Sequence, residues 1–300
     1  MPPADLQSML EELQASRRRL EGMALSSRAA NRIGRVLERL ASRLSRPPRV
    51  VLLGEFNAGK TTLANALIGS DLLPTSIHAN TRIPIHVRYG KVSSVALELR
   101  DHTRRPLSEA TLPLLAVGGA RMLHVALPVE RLRTFELIDT PGLASGLAGL
   151  DAANAEACRQ ANVAIWCTAS TQAWKATERA AWIAVPPRLH RKGLLVSTLA
   201  DALNTDRDRS RVEARLRAEA GRYFAEIAMV TAAEVDELRR DPSVPEFDER
   251  WIASGGAALD AAIERLLQEV WAERALAAGR VLARVAAHVD EKPAGRTAAA

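Results

Sequence analysis

Four consecutive apolar residues, Val50-Val51-Leu52-Leu53, run directly into Gly54-Glu55-Phe56-Asn57-Ala58-Gly59-Lys60-Thr61, and a helix-forming stretch from Thr62 to Gly69 follows at once. This order constrains the chain more than any other feature. A short unbroken apolar run is the pattern of a strand buried on both faces. The eight residues after it satisfy GxxxxGK followed by serine or threonine. Glycines in such a loop let backbone N–H groups turn inward around an anion, and the start of the next helix adds partial positive charge. Lys60 then suits the β- and γ-phosphates of a nucleotide, and the Thr61 hydroxyl suits Mg²⁺. Phosphate contacts are expected from Gly54, Glu55, Phe56, Asn57, Ala58, Gly59, Lys60, Thr61 and Thr62.

The pattern on either side of this unit differs. Residues 5–46 carry apolar positions at three- and four-residue steps (Leu6, Met9, Leu10, Leu13, then Ile33, Val36, Leu37, Leu40, Leu44), which predicts one long helix or a helical hairpin. Arginines fill much of the other face, and Pro47-Pro48 ends the helix. Beyond the loop, apolar runs recur at Ile83–Val87, Val95–Leu99, Phe135–Ile138, Val163–Cys167, Leu194–Thr198 and Ile227–Thr231. Helical stretches near 59–69, 151–161, 174–184 and 207–224 separate many of them. Strands alternating with helices predict an α/β fold: a doubly wound, mostly parallel sheet of the P-loop kind, flanked by N- and C-terminal helices. A last helical pattern occupies 257–289, and the tail from Glu291 is expected to be disordered. The expected division is therefore 1–48 helical, 49–235 nucleotide-binding, 236–290 helical and 291–300 tail.

Composition adds mainly exclusions. With 300 residues, 47% hydrophobic and 25% charged, the chain can build an ordinary core. No apolar stretch is long enough for a membrane span, and the N-terminus lacks the layout of a secretory signal. A cytoplasmic location is expected, with the inner face of the membrane as a peripheral alternative. The net charge of +6 is not accompanied by basic runs interleaved with aromatics, so nucleic acid is not an expected partner. Cys158 and Cys167 have no metal or redox spacing and read as small buried hydrophobes. Trp166, Trp174 and Trp182 read as helix-to-sheet packing, and the six histidines show no metal spacing.

Three further segments supplement the loop. Asp139-Thr140-Pro141-Gly142 follows the run Phe135–Ile138, where an acid at a strand end can hold Mg²⁺ through water and Gly142 can offer its N–H to the γ-phosphate. Thr198-Leu199-Ala200-Asp201 follows the strand Leu194–Thr198 and matches (N/T)KxD except at the lysine. In that motif the aspartate accepts hydrogen bonds from guanine N1 and N2, and here Leu199 would cover the base. Thr231-Ala232-Ala233 resembles the element whose backbone touches the guanine oxygen.

Together these residues resemble the dynamin-like GTPases, specifically their bacterial branch. The likeness runs through Gly54–Gly69, Leu73-Pro74, Asn80-Thr81-Arg82-Ile83-Pro84 and Arg88-Tyr89-Gly90, and covers roughly residues 49–235. It implies Mg²⁺-dependent hydrolysis of GTP. Thr81 would be the switch I threonine over the metal, beside Thr61 and Asp139, and Asn57 the polar loop residue that orients the water or binds a monovalent cation. Leu143 stands where a Ras-type enzyme has its catalytic glutamine, which suits the dynamin-like pattern. The resemblance also implies slow turnover stimulated when two GTPase domains pair as a homodimer. Its long stalk and membrane-binding tip have no counterpart in these residues. Two alternatives stay open: a nucleotide-binding regulatory or scaffold protein with little turnover, and a P-loop ATPase of relaxed base choice.

Overall fold

The structure is a computed structural model that describes residues 4–21, 27–69, 83–107, 119–143, 150–203 and 205–290. The elements along the chain are α1 (Ala4–Glu21), α2 (Ser27–Ser45), β1 (Arg49–Gly54), α3 (Lys60–Ile68), β2 (Ile85–Tyr89), β3 (Ser94–Leu99), β4 (Arg104–Leu107), β5 (Ala120–Leu127), β6 (Glu136–Asp139), α4 (Ala152–Gln160), β7 (Val163–Ala169), α5 (Ala176–Ile183), α6 (Pro187–His190), β8 (Gly193–Thr198), α7 (Asp206–Ala220), β9 (Glu226–Met229), α8 (Ala232–Arg240), α9 (Phe247–Ala253) and α10 (Gly256–Asp290). Local chemistry sets several boundaries. Asp151 accepts a hydrogen bond from the Asn154 N–H at 2.8 Å to start α4, and Thr205 does the same for Asp208 at 3.1 Å to start α7. Gly69 ends α3 in a left-handed conformation, φ 75°, which glycine adopts without steric cost.

Among the described residues nine strands form one sheet in the order β4-β3-β5-β2-β6-β1-β7-β8-β9. Strands β6, β1, β7, β8 and β9 run parallel, as the alternation of strands and helices predicts. The other half departs from a uniform parallel sheet. β2 is antiparallel to β6 and parallel to β5, while β3 is antiparallel to both β5 and β4. β3 and β4 are joined by only four residues, too few for a crossover helix, so antiparallel pairing is the geometry open to them. At the centre, Val50 to Leu53 of β1 are fully buried. On one side of the sheet Trp166, Trp174 and Trp182 pack with Phe224, Trp182 stacking on Phe224 at a centroid distance of 4.2 Å. These tryptophans are packing residues, as their sequence positions suggested. Cys158 and Cys167 are fully buried, and burial pushes both thiols up to about 12.

The chain divides into two compact units. The larger is Pro48–Leu267, which includes α8, α9 and the start of α10 in addition to the sheet. The smaller comprises the described residues up to Pro47 and from Gln268 onward. Within it Leu6, Leu13, Leu37 and Leu44 bury against Trp271, Ala278, Leu282 and Val285, so the N-terminal helices share one core with the end of α10. The tail from Glu291 lies outside the described residues. Among the described residues no helix is long and apolar enough to cross a membrane.

Strand β5 has no counterpart in the sequence expectation, because Arg121 and His124 interrupt its apolar character. Both are satisfied inside the sheet. A line of polar side chains crosses six neighbouring strands, one residue from each. Arg104 donates to Glu98 at 3.3 Å, and Glu98 pairs with His124 Nε2 at 2.7 Å. The two Nδ1 atoms of His124 and His86 lie 3.1 Å apart, His86 Nε2 pairs with Glu136 at 2.8 Å, and Arg49 donates to Glu136 at 2.8 Å. Arg121 reaches both Glu98 and Glu156, and exposed His102 touches Arg121. Burial works to raise Glu136, but His86 and Arg49 outweigh it and hold the carboxyl at about 2. Glu98 is likewise below the ordinary range, because its bond to His124 and the nearby arginines outweigh burial. Which ring nitrogen donates at each of these contacts depends on the tautomers of the two histidines. The charged form of His124 is strongly disfavoured: burial first, then the charge of His86, takes it down to about 4.

Both shifts are depressions from the unfolded values, so both contribute stability at high pH that is lost on acidification. The unfolding midpoint should fall as pH drops from about 6.5 to 4 through His124, and again from about 4.5 towards 2 through Glu136. Urea denaturation at stepped pH checks this, and His124→Gln should remove the upper part of the slope.

Candidate functional site

The carboxyl ends of β1, β6, β7 and β8 meet at one edge of the sheet, and each carries a residue singled out in the sequence. Leu52 of β1 is in register with Asp139, Gly54 with Cys167, and Ala169 with Thr198. In open α/β sheets this edge is where ligands bind. Gly54 is needed there for two reasons: its φ is +146°, and a Cβ would lie 2.4 Å from the Cys167 carbonyl oxygen. The loop that follows is fastened on the β6 side by backbone bonds. Leu143 N–H donates to the Gly54 carbonyl at 3.0 Å and Phe56 N–H to the Leu143 carbonyl at 3.3 Å. The segment 140–142 is fixed in turn, since the Thr140 hydroxyl donates to the Leu52 carbonyl at 2.6 Å and fully buried Asn154 reaches the Pro141 carbonyl at 3.4 Å. A Cβ on Gly142 would come within 2.8 Å of Phe56 Cα and 3.3 Å of Lys60 Nζ, so its backbone lies directly against the loop.

Lys60 begins α3 and is buried, with its ammonium donating to the carbonyls of Gly54 at 3.0 Å and Glu55 at 2.6 Å. Burial lowers its pKa, while the negative charges of Asp139 and Glu55 work to keep it protonated. Asp139, at 1% exposure, is buried at the end of β6. A cavity of ≈ 390 Å³ is lined by Phe56, Asn57, Ala58, Gly59, Lys60, Thr61, Thr62, Thr140, Pro141, Gly142 and Leu199. Asn57 is exposed and left-handed at φ 61°, and Phe56 is 66% exposed. Glu55 is different: its carboxylate is directed to α5, where Thr177 and Lys175 hold it, and it is not part of the cavity wall.

The other sequence-derived residues divide into distinct positions. Thr198 is fully buried, and its hydroxyl lies 2.9 Å from the Ala58 carbonyl and 3.2 Å from that of Thr168. It supports the loop from beneath, where a Cβ on Gly59 would meet its hydroxyl at 3.0 Å. Leu199 takes a left-handed conformation, φ 56°, and is 40% exposed at the cavity wall. Asp201 is exposed in the following turn, Ala200–Ala202, and Thr231 is buried at the start of α8. Thr81, with Asn80, Arg82, Leu73 and Pro74, lies outside the described residues. Sequence reasoning did not pick out Asn154, Lys175 or Thr177, for they belong to no phosphate motif and act only through the loop and its neighbouring turn.

A glycine-rich loop between a buried parallel strand and a helix, with an acid at the end of the adjacent strand, defines a P-loop nucleotide-triphosphatase fold. Residues 50–184 match the model of the Dynamin family. Over 121 residues the chain is 35% identical to the isoniazid-induced protein IniC of Mycobacterium tuberculosis, covering 36% of this chain and 24% of that protein. Over 112 residues it is 31% identical to dynamin-like protein 2 of Campylobacter jejuni, covering 36% and 18% respectively. A solved oligomerised bacterial dynamin pair, described as a mechanism for long-range sensing and tethering of membranes, shares the fold with a TM-score of 0.68 at 16% identity. That match covers 96% of this chain and 56% of the other. Over residues 50–184 the chain is similar to the dynamin family, and the two curated relatives are bacterial. The chain spans a quarter or less of the length of these two curated relatives.

Thr198→Val should cost about 1–3 kcal/mol of stability, because the buried Ala58 and Thr168 carbonyls lose a donor. Thr198→Ser should retain most of it. Urea denaturation of the two variants separates these outcomes.

Proposed function

We propose that the chain is a dynamin-like GTPase that binds GTP with Mg²⁺ at this cavity and hydrolyses it slowly. The observation that carries the reading is the convergence of the Gly54–Thr61 loop, the 140–142 turn and Leu199 on one cavity at the carboxyl edge of the sheet. The donor chemistry suits Mg²⁺: the hydroxyl of Thr61 and the carboxylate of Asp139 are hard oxygen ligands, and Thr81 is the family's third contributor. When bound, magnesium would neutralise charge on the phosphate oxygens.

The remaining work falls to the chain itself. Loop N–H groups and the N-terminus of α3 attract the phosphates, and the Lys60 ammonium stabilises charge that develops as the γ-phosphoryl group departs. Gly142 N–H would donate to the γ-phosphate. Asn57 and Thr81 would orient the attacking water. Catalysis in this class is chiefly positioning and electrostatics, so no side-chain nucleophile is required. Asp201 would accept from guanine N1 and N2, a pattern adenine cannot offer, and Leu199 would cover the base face in place of the usual lysine stem. Pairing of two such domains in the presence of nucleotide would raise turnover, in keeping with the oligomerised state described for the bacterial dynamin pair.

Titration of the protein with fluorescent GTP and ATP analogues plus Mg²⁺ is the first test. GTP should bind at least about tenfold more tightly, Asp201→Asn should abolish that preference, and Lys60→Ala should cut phosphate release about a hundredfold. Equal binding of both nucleotides, unaffected by Asp201→Asn, would leave the ATPase reading. Tight GTP binding with no phosphate release would favour the regulatory reading, to which the Leu199 replacement points. Light scattering with GTP and a transition-state mimic tests the pairing, and a monomer under those conditions would remove it.

A further inference from the structure

Glu55 is a puzzling residue for this loop. It places a carboxylate within one residue of the glycine that starts the phosphate cradle, and its negative charge acts on the ammonium of Lys60. Left to itself it would repel phosphate and compete for the lysine. It is, however, held away. The Lys175 ammonium donates to one carboxylate oxygen at 3.0 Å and the Thr177 hydroxyl to the other at 2.6 Å. Burial works to raise Glu55, yet these two bonds and the positive charges of Lys175 and Lys60 outweigh it and keep the carboxyl ionised.

The holder is itself built in. The Lys175 backbone N–H donates at 2.8 Å to Glu178, a buried carboxylate that also accepts from Thr168 at 2.9 Å and Trp166 at 3.3 Å on β7. Trp174, just before it, adopts φ 60°, and its N–H donates to the Thr168 hydroxyl at 3.0 Å. A bulky residue accepts such a conformation only where surrounding bonds over-determine it. The loop is thus stitched by backbone bonds to the 140–143 segment on one side and by the Glu55 side chain to the start of α5 on the other. Neither Glu55 nor Lys175 lines the cavity.

We propose that Lys175 and Thr177 are positioning residues for the phosphate loop, acting through Glu55: Lys175 neutralises its carboxylate, and the two together hold it off Lys60 and the incoming triphosphate. This rests on the nucleotide-binding reading above. The pair is intermediate in exposure, with the Lys175 side chain 42% and the Glu55 side chain 9% accessible, so its worth lies between that of a surface and a buried ion pair.

The test is a titration of the full chain with a fluorescent GTP analogue plus Mg²⁺. Lys175→Met should weaken binding about tenfold at pH 8, because Glu55 keeps its charge with no counter-ion but Lys60, the Thr177 hydroxyl alone remaining on its carboxylate. The loss should shrink as pH falls and Glu55 takes up a proton. The double variant Glu55→Gln with Lys175→Met should recover most of the wild-type affinity, which a merely structural role for Lys175 would not allow. Urea denaturation of each variant, run in parallel, separates loss of fold from loss of affinity. Binding by Lys175→Met equal to the wild type, or no recovery in the folded double variant, overturns the proposal. Failure of the wild type itself to bind overturns the nucleotide reading and this proposal with it.

Discussion

The central constraint of the larger unit is the position of β1 between two parallel neighbours. Val50 to Leu53 are buried on both faces, so the strand can neither slip nor twist out of register without exposing apolar surface. Its end is fixed accordingly, and Gly54 arrives where the Cys167 carbonyl leaves no room for a side chain. Everything at the site follows from that arrival. The loop has to turn back over the strand end, and the parallel partners deliver Asp139 on one side and Thr168 to Ser170 on the other. The loop's shape is thus a consequence of sheet packing, with its fastening bonds reaching Leu143 on one side and Thr198 and the start of α5 on the other.

That fastening explains why several residues with no phosphate-binding chemistry matter. Thr198 and Thr140 are buried hydroxyls that return their hydrogen bonds to backbone carbonyls of the loop and of β1. Asn154 does the same for the 141 carbonyl. Buried polar groups in such positions are costly unless paired, and once paired they select one conformation. The same rule governs the line from Arg104 to Arg49, where each glutamate is held between an arginine and a histidine and the two histidines meet at the middle. Its proximity to Asp139 is topological: Ile85, the neighbour of His86, is in register with Asp139 across β2 and β6.

The sequence was most informative where a single residue type answers a single physical demand. Val50 to Leu53 read as a doubly buried strand, Gly54, Gly59 and Lys60 as a phosphate loop, and Asp139 as a strand-end acid, because each depends on local pattern. The parallel strands β7 and β8 were legible for the same reason. Strand β5 was not, since Arg121 and His124 look polar until their cross-strand partners Glu98 and His86 are known. Helices α8 and α9 fall largely in the segment 236–290 expected to be helical, but their separate bounds were not expected, nor that α8 starts at Ala232. α8 mixes Val235 and Leu238 in its buried face with Asp236 and Arg240, which pair with each other. Lys175 and Thr177 were invisible because their partner, Glu55, lies about 120 residues away. Long-range pairing of short polar side chains leaves no periodic trace.

The state of Lys60 follows from the balance of these effects. Its ammonium donates to two neutral carbonyls, Gly54 and Glu55, and burial lowers its pKa while nearby carboxylates work to hold the proton on. A phosphate oxygen is a charged acceptor, and charge-assisted hydrogen bonds are roughly twice as strong as neutral ones. Exchanging a carbonyl for a phosphate therefore favours the ligand, and it also relieves the penalty of a buried cation by bringing a counter-charge to it. The exchange is small in distance, since the Lys60 ammonium already lies 3.3 Å from where a side chain on Gly142 would begin. A lysine so placed stays within reach of the loop and of the 142 backbone, and under the proposed function it would transfer its bonds to a triphosphate without reorganising the strand beneath it.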